Sequence, residues 1–221
     1  MLFFQVEDIQ VEGNERYSAE LIISAAGVGQ NDNLLLLTSP KLSGRIAAKV
    51  MTVYPYVEEV TVKPEFPSTL KLVIKECTPA VVMAVNENWW LIAPNGRVLD
   101  SVDAASAQQY PQAAGFDLLD PQLGQKAQVA GTDTVRLNSM LGLLSALEEK
   151  GMLDKLGWVD MSSATEIRFL YDGRVTVEVL MNADYPRKME ILNAILENDE
   201  VGPYARGVAD LKSDRCYFRP N

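Results

Sequence analysis

Apolar positions along this chain change period from block to block. Around Gln5–Glu12 they alternate with polar ones, and Ile9 and Val11 share a face. Phe4 and Val6 have the opposite parity, which predicts a bulge or a late strand start. After Gly13-Asn14, Ser18 is placed as a helix N-cap, with Tyr17 before it and Ile22 at the fourth helical position, the arrangement of a hydrophobic staple. Gly27 ends that helix after Ala26. Ser39-Pro40 opens a second helix with the stripe Leu42, Ile46, Val50, Val53, and Pro55 closes it. Two strands follow, one with Val60 and Val62 on a face and one alternating Leu70, Leu72, Ile74 after the Phe66-Pro67-Ser68 turn. Strand, helix, helix, strand, strand predicts a three-stranded sheet with both helices on one face, over residues 1–76.

From residue 77 to 221 the pattern is richer in strands. Val81, Met83 and Val85 alternate; Trp89–Ile92 and Arg97–Leu99 flank Pro94-Asn95-Gly96, a hairpin signal. Trp89 and Trp90 point to opposite faces of a strand, so one of them belongs to the core. Residues 101–130 read as loop with one or two short strands. A helix is predicted from Asp133 or Thr134 to Lys150, carrying Leu137, Met140, Leu141, Leu144 and Leu147 and stopped by Gly151. Strands follow at Trp158–Asp160 and within Glu166–Leu180. A two-residue turn at Asp172-Gly173 would set Phe169 opposite Thr176 and split the apolar rows. Pairing Tyr171 with Val175 and Phe169 with Val177 restores them, which predicts a longer loop or a bulge. A last helix starts near Asp184, carries Tyr185, Met189, Leu192 and Leu196, and stops before Gly202-Pro203. The tail Arg206–Arg219 is suited to a closing strand. The fold class expected is α+β: a small β-α-α-β-β domain, then a larger one with an extended antiparallel sheet and two helices.

Composition narrows the chemistry. The 221 residues are 48% hydrophobic and 23% charged, as a folded chain requires, and the formal charge of −10 argues against a nucleic-acid partner. No apolar run approaches the roughly 20 residues that span a bilayer. Composition leaves open whether the protein is cytoplasmic or whether an anchor precedes this sequence. There is no histidine, which removes His-based acid–base chemistry, the usual nucleophile pairs and the ordinary zinc site. Cys77 and Cys216 suit either one disulfide or two buried thiols. Carboxylate pairs such as Asp117 with Asp120 and Glu148 with Glu149 lack accompanying motifs, and Asp100 with Asp103 reads as local backbone capping. No catalytic, cofactor or metal site is assigned. What remains is binding by surfaces, above all by sheet edges.

The ordered set Ile9-Gln10-Val11-Glu12-Gly13-Asn14, Tyr17-Ser18, Tyr54-Pro55-Tyr56-Val57, Phe66-Pro67-Ser68-Thr69-Leu70 and Lys75-Glu76-Cys77-Thr78-Pro79-Ala80 resembles the POTRA domain of the FtsQ/DivIB cell-division family. Trp158-Val159-Asp160, Ile167–Tyr171, Gly173-Arg174-Val175 and the Lys188-containing helix are similar to the β domain that follows it there. The resemblance implies a non-enzymatic, single-pass cell-membrane protein with this part outside the cytoplasm, at the division septum, anchored by a segment N-terminal to it. The partners it implies are FtsB/DivIC-like and FtsL-like proteins, with septal peptidoglycan synthases as further ones. It also implies partner-strand addition near the C-terminal strand, which here points to Asp210, Leu211, Arg215, Tyr217 and Phe218. Against that stands the reading that Tyr217 and Phe218 close the core. The alternatives are a POTRA-bearing secretion or translocation accessory protein and, in another class, a cell-wall hydrolase.

Overall fold

A computed structural model describes residues 4–198, 201–202 and 204–220. Contacts divide the chain into two units, residues 1–78 and 79–221. In the first, strand β1 (Asp8–Glu12) starts late because the preceding residues have another partner. Leu34 N–H donates to Phe4 C=O at 2.8 Å and Val6 N–H to Asp32 C=O at 2.9 Å. Val6 is thereby buried despite its parity.

Helix α1 (Ala19–Ala26) begins at Ser18, whose hydroxyl accepts the Leu21 N–H at 3.4 Å, and ends at Gly27 with φ 63°. A short helix the sequence pattern did not predict, α2 (Leu34–Leu37), is capped by Asn33. Helix α3 (Pro40–Val53) starts where expected, but Ser39 does not cap it through its side chain: the hydroxyl donates backward to Leu36 C=O at 2.6 Å. Strands β2 (Val57–Glu65) and β3 (Thr69–Glu76) complete a sheet of order β1-β3-β2, with β1 parallel to β3. A bulge between Val57 and Glu59 brings Val57 into the core beside Val60. Leu70 and Leu72 of the central strand are fully buried with Ile22, Leu34, Ile46 and Val50. Burial of each such side chain contributes about 1.5–3 kcal/mol. Glu76 has a structural role: its carboxylate accepts the N–H groups of Arg16 (2.8 Å) and Tyr17 (3.4 Å), tying the turn before α1 to the end of β3.

The second unit is built on one nine-stranded sheet. Its strands are β4 (Val81–Val85), β5 (Asn88–Ile92), β6 (Val98–Val102), β7 (Gln112–Ala114), β8 (Leu156–Asp160), β9 (Glu166–Tyr171), β10 (Val175–Leu180), β11 (Gly207–Asp210) and β12 (Tyr217–Pro220). Their order is β12-β11-β10-β9-β8-β7-β4-β5-β6. The α+β class holds, while three pairings (β4 with β7, β7 with β8, β10 with β11) are parallel, so the larger sheet is mixed. The residues read as irregular contribute its keystone. Three-residue β7 joins the two halves, and Gly115 after it has φ 115° and sits where a Cβ would lie 2.3 Å from the Met161 backbone. The same stretch holds a four-residue helix, α4 (Ala104–Ala107), capped by Asp103.

The β9–β10 register is the one that keeps the apolar rows together, Tyr171 opposite Val175 and Phe169 opposite Val177. A three-residue loop makes it possible, with Asp172 at φ 54° and Gly173 at φ 62°. Helices α5 (Thr134–Glu149) and α6 (Tyr185–Leu196) share one buried cluster with this face, through Met140, Leu143, Leu144 and Leu147 and through Met189 and Leu192. At the β5–β6 connection Gly96 alone is left-handed (φ 83°); its N–H bonds Ala93 C=O at 2.8 Å, so Pro94 and Asn95 form the centre of an ordinary turn. Trp90 is the tryptophan that packs against the core cluster. Pro203, read with Gly202 as a helix stop, lies outside the described residues.

Candidate partner-binding edge

A sheet of nine strands has two margins, and here they are treated differently. At β6, Val98 uses both backbone groups on the following loop: its N–H donates to Gln125 C=O (2.9 Å) and its C=O accepts from Gly124 N–H (2.8 Å). That margin is covered where it begins. At the other end lies β12, and among the described residues no strand lies beyond it.

Which groups β12 presents follows from strand alternation. Gly207 N–H donates to Arg174 C=O (3.3 Å) and Leu211 N–H to Glu178 C=O (2.8 Å), so Gly207, Ala209 and Leu211 direct their backbone groups toward β10. Val208 and Asp210 therefore direct theirs toward β12, where they face Arg219 and Tyr217. Tyr217 and Arg219 are then turned inward. Phe218 directs its N–H and C=O outward, and Pro220 adds a carbonyl but no N–H.

Side chains divide the other way. Phe218 falls in the cross-strand row Val159–Phe169–Val177–Ala209, on the helix side, and packs against the core cluster. Beside it runs an open groove of about 360 Å³ between β12 and the end of α6, lined in part by Ile195, Val201, Ala205 and Cys216. Tyr217 falls in the opposite row, Asp160–Arg168–Glu178–Asp210, and is 47% exposed. Its hydroxyl donates to Asp210 Oδ2 at 3.3 Å. Of the two aromatics, Phe218 helps close the core and Tyr217 stays at the surface.

The outer face around Tyr217 is a lattice of charge. Lys212 Nζ lies 2.7 Å from Glu178, 3.3 Å from Glu166 and 3.7 Å from Asp210, while Arg219 lies 3.8 and 3.9 Å from Glu178 and Asp210. The hydrogen bond to Glu178, with smaller help from Glu166 and Asp210, raises the Lys212 ammonium above its usual range against the opposing effect of desolvation. In the same row, the Ser162 hydroxyl and N–H hold the Asp160 carboxyl below the ordinary range.

Of the five residues singled out from sequence, four fit an edge. Tyr217 and Phe218 form it, Arg215 is exposed in the β11–β12 turn, and Asp210 supports it from beneath through Tyr217 and Lys212. Leu211 is corrected: it is 0% exposed within the core cluster and has no surface to offer. Sequence reasoning missed Lys212, whose alternation with Asp210 was visible but whose three partners come from distant strands. Cys77 is buried, its thiol donating to Tyr56 C=O at 3.4 Å, Cys216 is half-buried, and no disulfide joins them. Asp100 and Asp103 accept backbone N–H groups, from Ser101 (2.9 Å) and Ser106 (2.7 Å), as capping residues do.

Residues 4–76 match the family described as POTRA domain, FtsQ-type. The chain is 20% identical over 209 residues to the cell division protein DivIB of Clostridium botulinum strain Hall, covering 95% of this chain and 78% of that protein. It is 22% identical over 194 residues to DivIB of Clostridium acetobutylicum, covering 88% and 74%. To the cell division protein FtsQ of Syntrophotalea carbinolica it is 25% identical over 196 residues, covering 87% and 65%.

Proposed function

We propose that this chain, whose residues 4–76 match the FtsQ-type POTRA domain and which is similar over most of its length to DivIB and FtsQ cell-division proteins, is a non-enzymatic divisome scaffold of that family whose second unit captures an extended segment of a partner at β12. The partners are FtsB/DivIC-like and FtsL-like proteins, and through them the protein regulates septal peptidoglycan synthesis. It acts outside the cytoplasm, held to the membrane by a segment N-terminal to the POTRA domain; no helix among the described residues is long and apolar enough to span a bilayer.

The observation supporting this reading is the asymmetry of the margins. One is covered at Val98, and the other leaves an N–H and a C=O of Phe218 directed outward beside an open groove of mixed polar and apolar lining. An extended peptide satisfies such groups by strand addition. The test is a binding assay between this protein and the extracytoplasmic segments of its organism's DivIC and FtsL homologues. Phe218→Pro removes the outward N–H but no bond to β11, and edge strands tolerate proline. It is expected to weaken capture at least tenfold with the fold intact by circular dichroism, whereas Phe218→Val, which keeps the N–H, weakens it less. Wild-type affinity in a folded Phe218→Pro variant refutes strand addition at this edge.

A further inference from the structure

The strand that forms the free edge is four residues long and lies last in the sheet, so something other than length must keep it in place. Its ladder to β11 has two inward-facing residues, Tyr217 and Arg219. The turn that leads into it is gripped from both faces of the sheet. From the helix side, Lys188 of α6 donates to Ser213 C=O at 2.9 Å. From the outer side, Lys212 reaches back under the hairpin to carboxylates on three successive strands, Glu166 on β9, Glu178 on β10 and Asp210 on β11.

Charge shows which contact matters most. Three carboxylates converge here, and two of them, Glu178 and Asp210, have side chains only 15% and 11% exposed. The other cations are farther off, Arg168 at 3.8 Å from Glu178 and Arg219 at 3.8 and 3.9 Å from its two partners. Lys212 alone makes a contact shorter than 3 Å in this lattice, and it is the residue from which the hairpin turn departs. Without it, Glu178 and Asp210 face each other across adjacent strands with Arg168 and Arg219, at 3.8–3.9 Å, as the nearest remaining cations, and like charges directly opposite destabilise a sheet.

We propose that Lys212 is a positioning residue, a latch that holds β12 in register on the sheet and so keeps the free edge presentable to a partner strand. The link to a partner rests on the function proposed above; the latch itself does not. The latch predicts a specific mode of opening. When it is lost, β12 lifts from β11 while β9 and β10, bonded on both sides, stay closed.

Amide hydrogen exchange reads this directly, residue by residue. In the wild-type protein the inward N–H groups of Tyr217 and Arg219 are protected, and the outward N–H of Phe218 between them exchanges freely. Lys212→Met keeps the length and apolar stem of the side chain but not its charge. It is expected to speed exchange at Tyr217 and Arg219 at least tenfold while Phe169 and Val177 are unchanged, and Lys212→Arg restores protection. About 1 M NaCl, which shortens the screening length to about 3 Å, speeds exchange at the same two amides in wild type but not in Lys212→Met. Unchanged protection of Tyr217 and Arg219 in Lys212→Met overturns the latch, and so does an equal rise at Phe169 and Val177, which marks a loss of overall stability. A latch that behaves as stated in a protein that binds no partner strand leaves this inference standing and defeats the proposed function. Strand capture by wild type with no exchange change in Lys212→Met does the reverse.

Discussion

Gly207 offers a steric way to open the same edge. A Cβ built there would lie 2.1 Å from the Arg219 carbonyl oxygen, 2.9 Å from its carbon and 2.7 Å from Phe218 Cζ. Ordinary contact begins near 3.4 Å, so in Gly207→Ala the Arg219 carbonyl must retreat by more than about 1 Å. Such a retreat breaks the bonded pair Val208–Arg219, two backbone hydrogen bonds at about 0.5–1.5 kcal/mol each. The local loss is about 1–3 kcal/mol, a roughly 5- to 150-fold rise in exchange at Arg219. The β10 side of β11 is untouched, because Gly207 N–H already points to Arg174. A terminal strand can detach instead of straining the sheet, so melting falls by only about 2–5 °C. Exchange mass spectrometry of a peptide spanning residues 215–220, with thermal unfolding alongside, measures both quantities. If Gly207→Ala leaves that peptide as protected as in wild type, or opens β9 and β10 as much as β12, the argument that β12 is a separable edge fails.

Two further outcomes follow from the interior and from the outer row. Phe169 is 0% exposed in the centre of the large core, so Phe169→Ala is expected to cost about 3–5 kcal/mol by urea unfolding with an unchanged slope; a loss below about 2 kcal/mol means the core collapses around the cavity. Asp160 has a lowered folded-state pKa, from its bonds to Ser162. Its contribution to stability is therefore fully present above the unfolded-state pKa of about 3.9, and it is lost as pH falls through the lower folded value. Asp160→Asn flattens that part of the acid limb in a melting-versus-pH series, and an unaltered limb contradicts the assignment.

Periodicity made most of this fold legible because local rules and tertiary packing agree over long stretches. Ser18, Gly27, the Leu70–Ile74 alternation and the α5 and α6 stripes each announce an element that the structure contains. The β9–β10 register could be argued before any coordinates, since only one pairing keeps Phe169 and Val177 on the same face. The features the pattern left unplaced are those that depend on distant chain, such as the short strand expected somewhere within residues 101–130. β7 is Gln112-Ala113-Ala114, with no β-branched or aromatic residue, and is a strand only because β4 and β8 flank it. Ser39 kept its place at the start of α3 while its hydroxyl found a closer acceptor in the turn before it. The parallel pairing of β11 with β10 requires the chain to return past α6, which no local pattern encodes.

The candidate site was legible as a segment but not as an arrangement. Five residues between Asp210 and Phe218 were chosen as neighbours in sequence, yet a strand and its turn assign neighbours to opposite tasks. Leu211 goes to the core, Asp210 to the lattice under the edge, Tyr217 to the outer face with its backbone turned inward, and Phe218 to the groove with its backbone turned outward. For strand addition the outward groups of Phe218 belong to the main chain, so any side chain but proline keeps them, and the phenyl ring adds only its packing against the core. Side-chain identity then matters most at the positions that hold the strand in register, Gly207 and Lys212 above all. Substitutions at those two, which need not touch a partner, should disturb capture more than Arg215→Ala in the exposed turn.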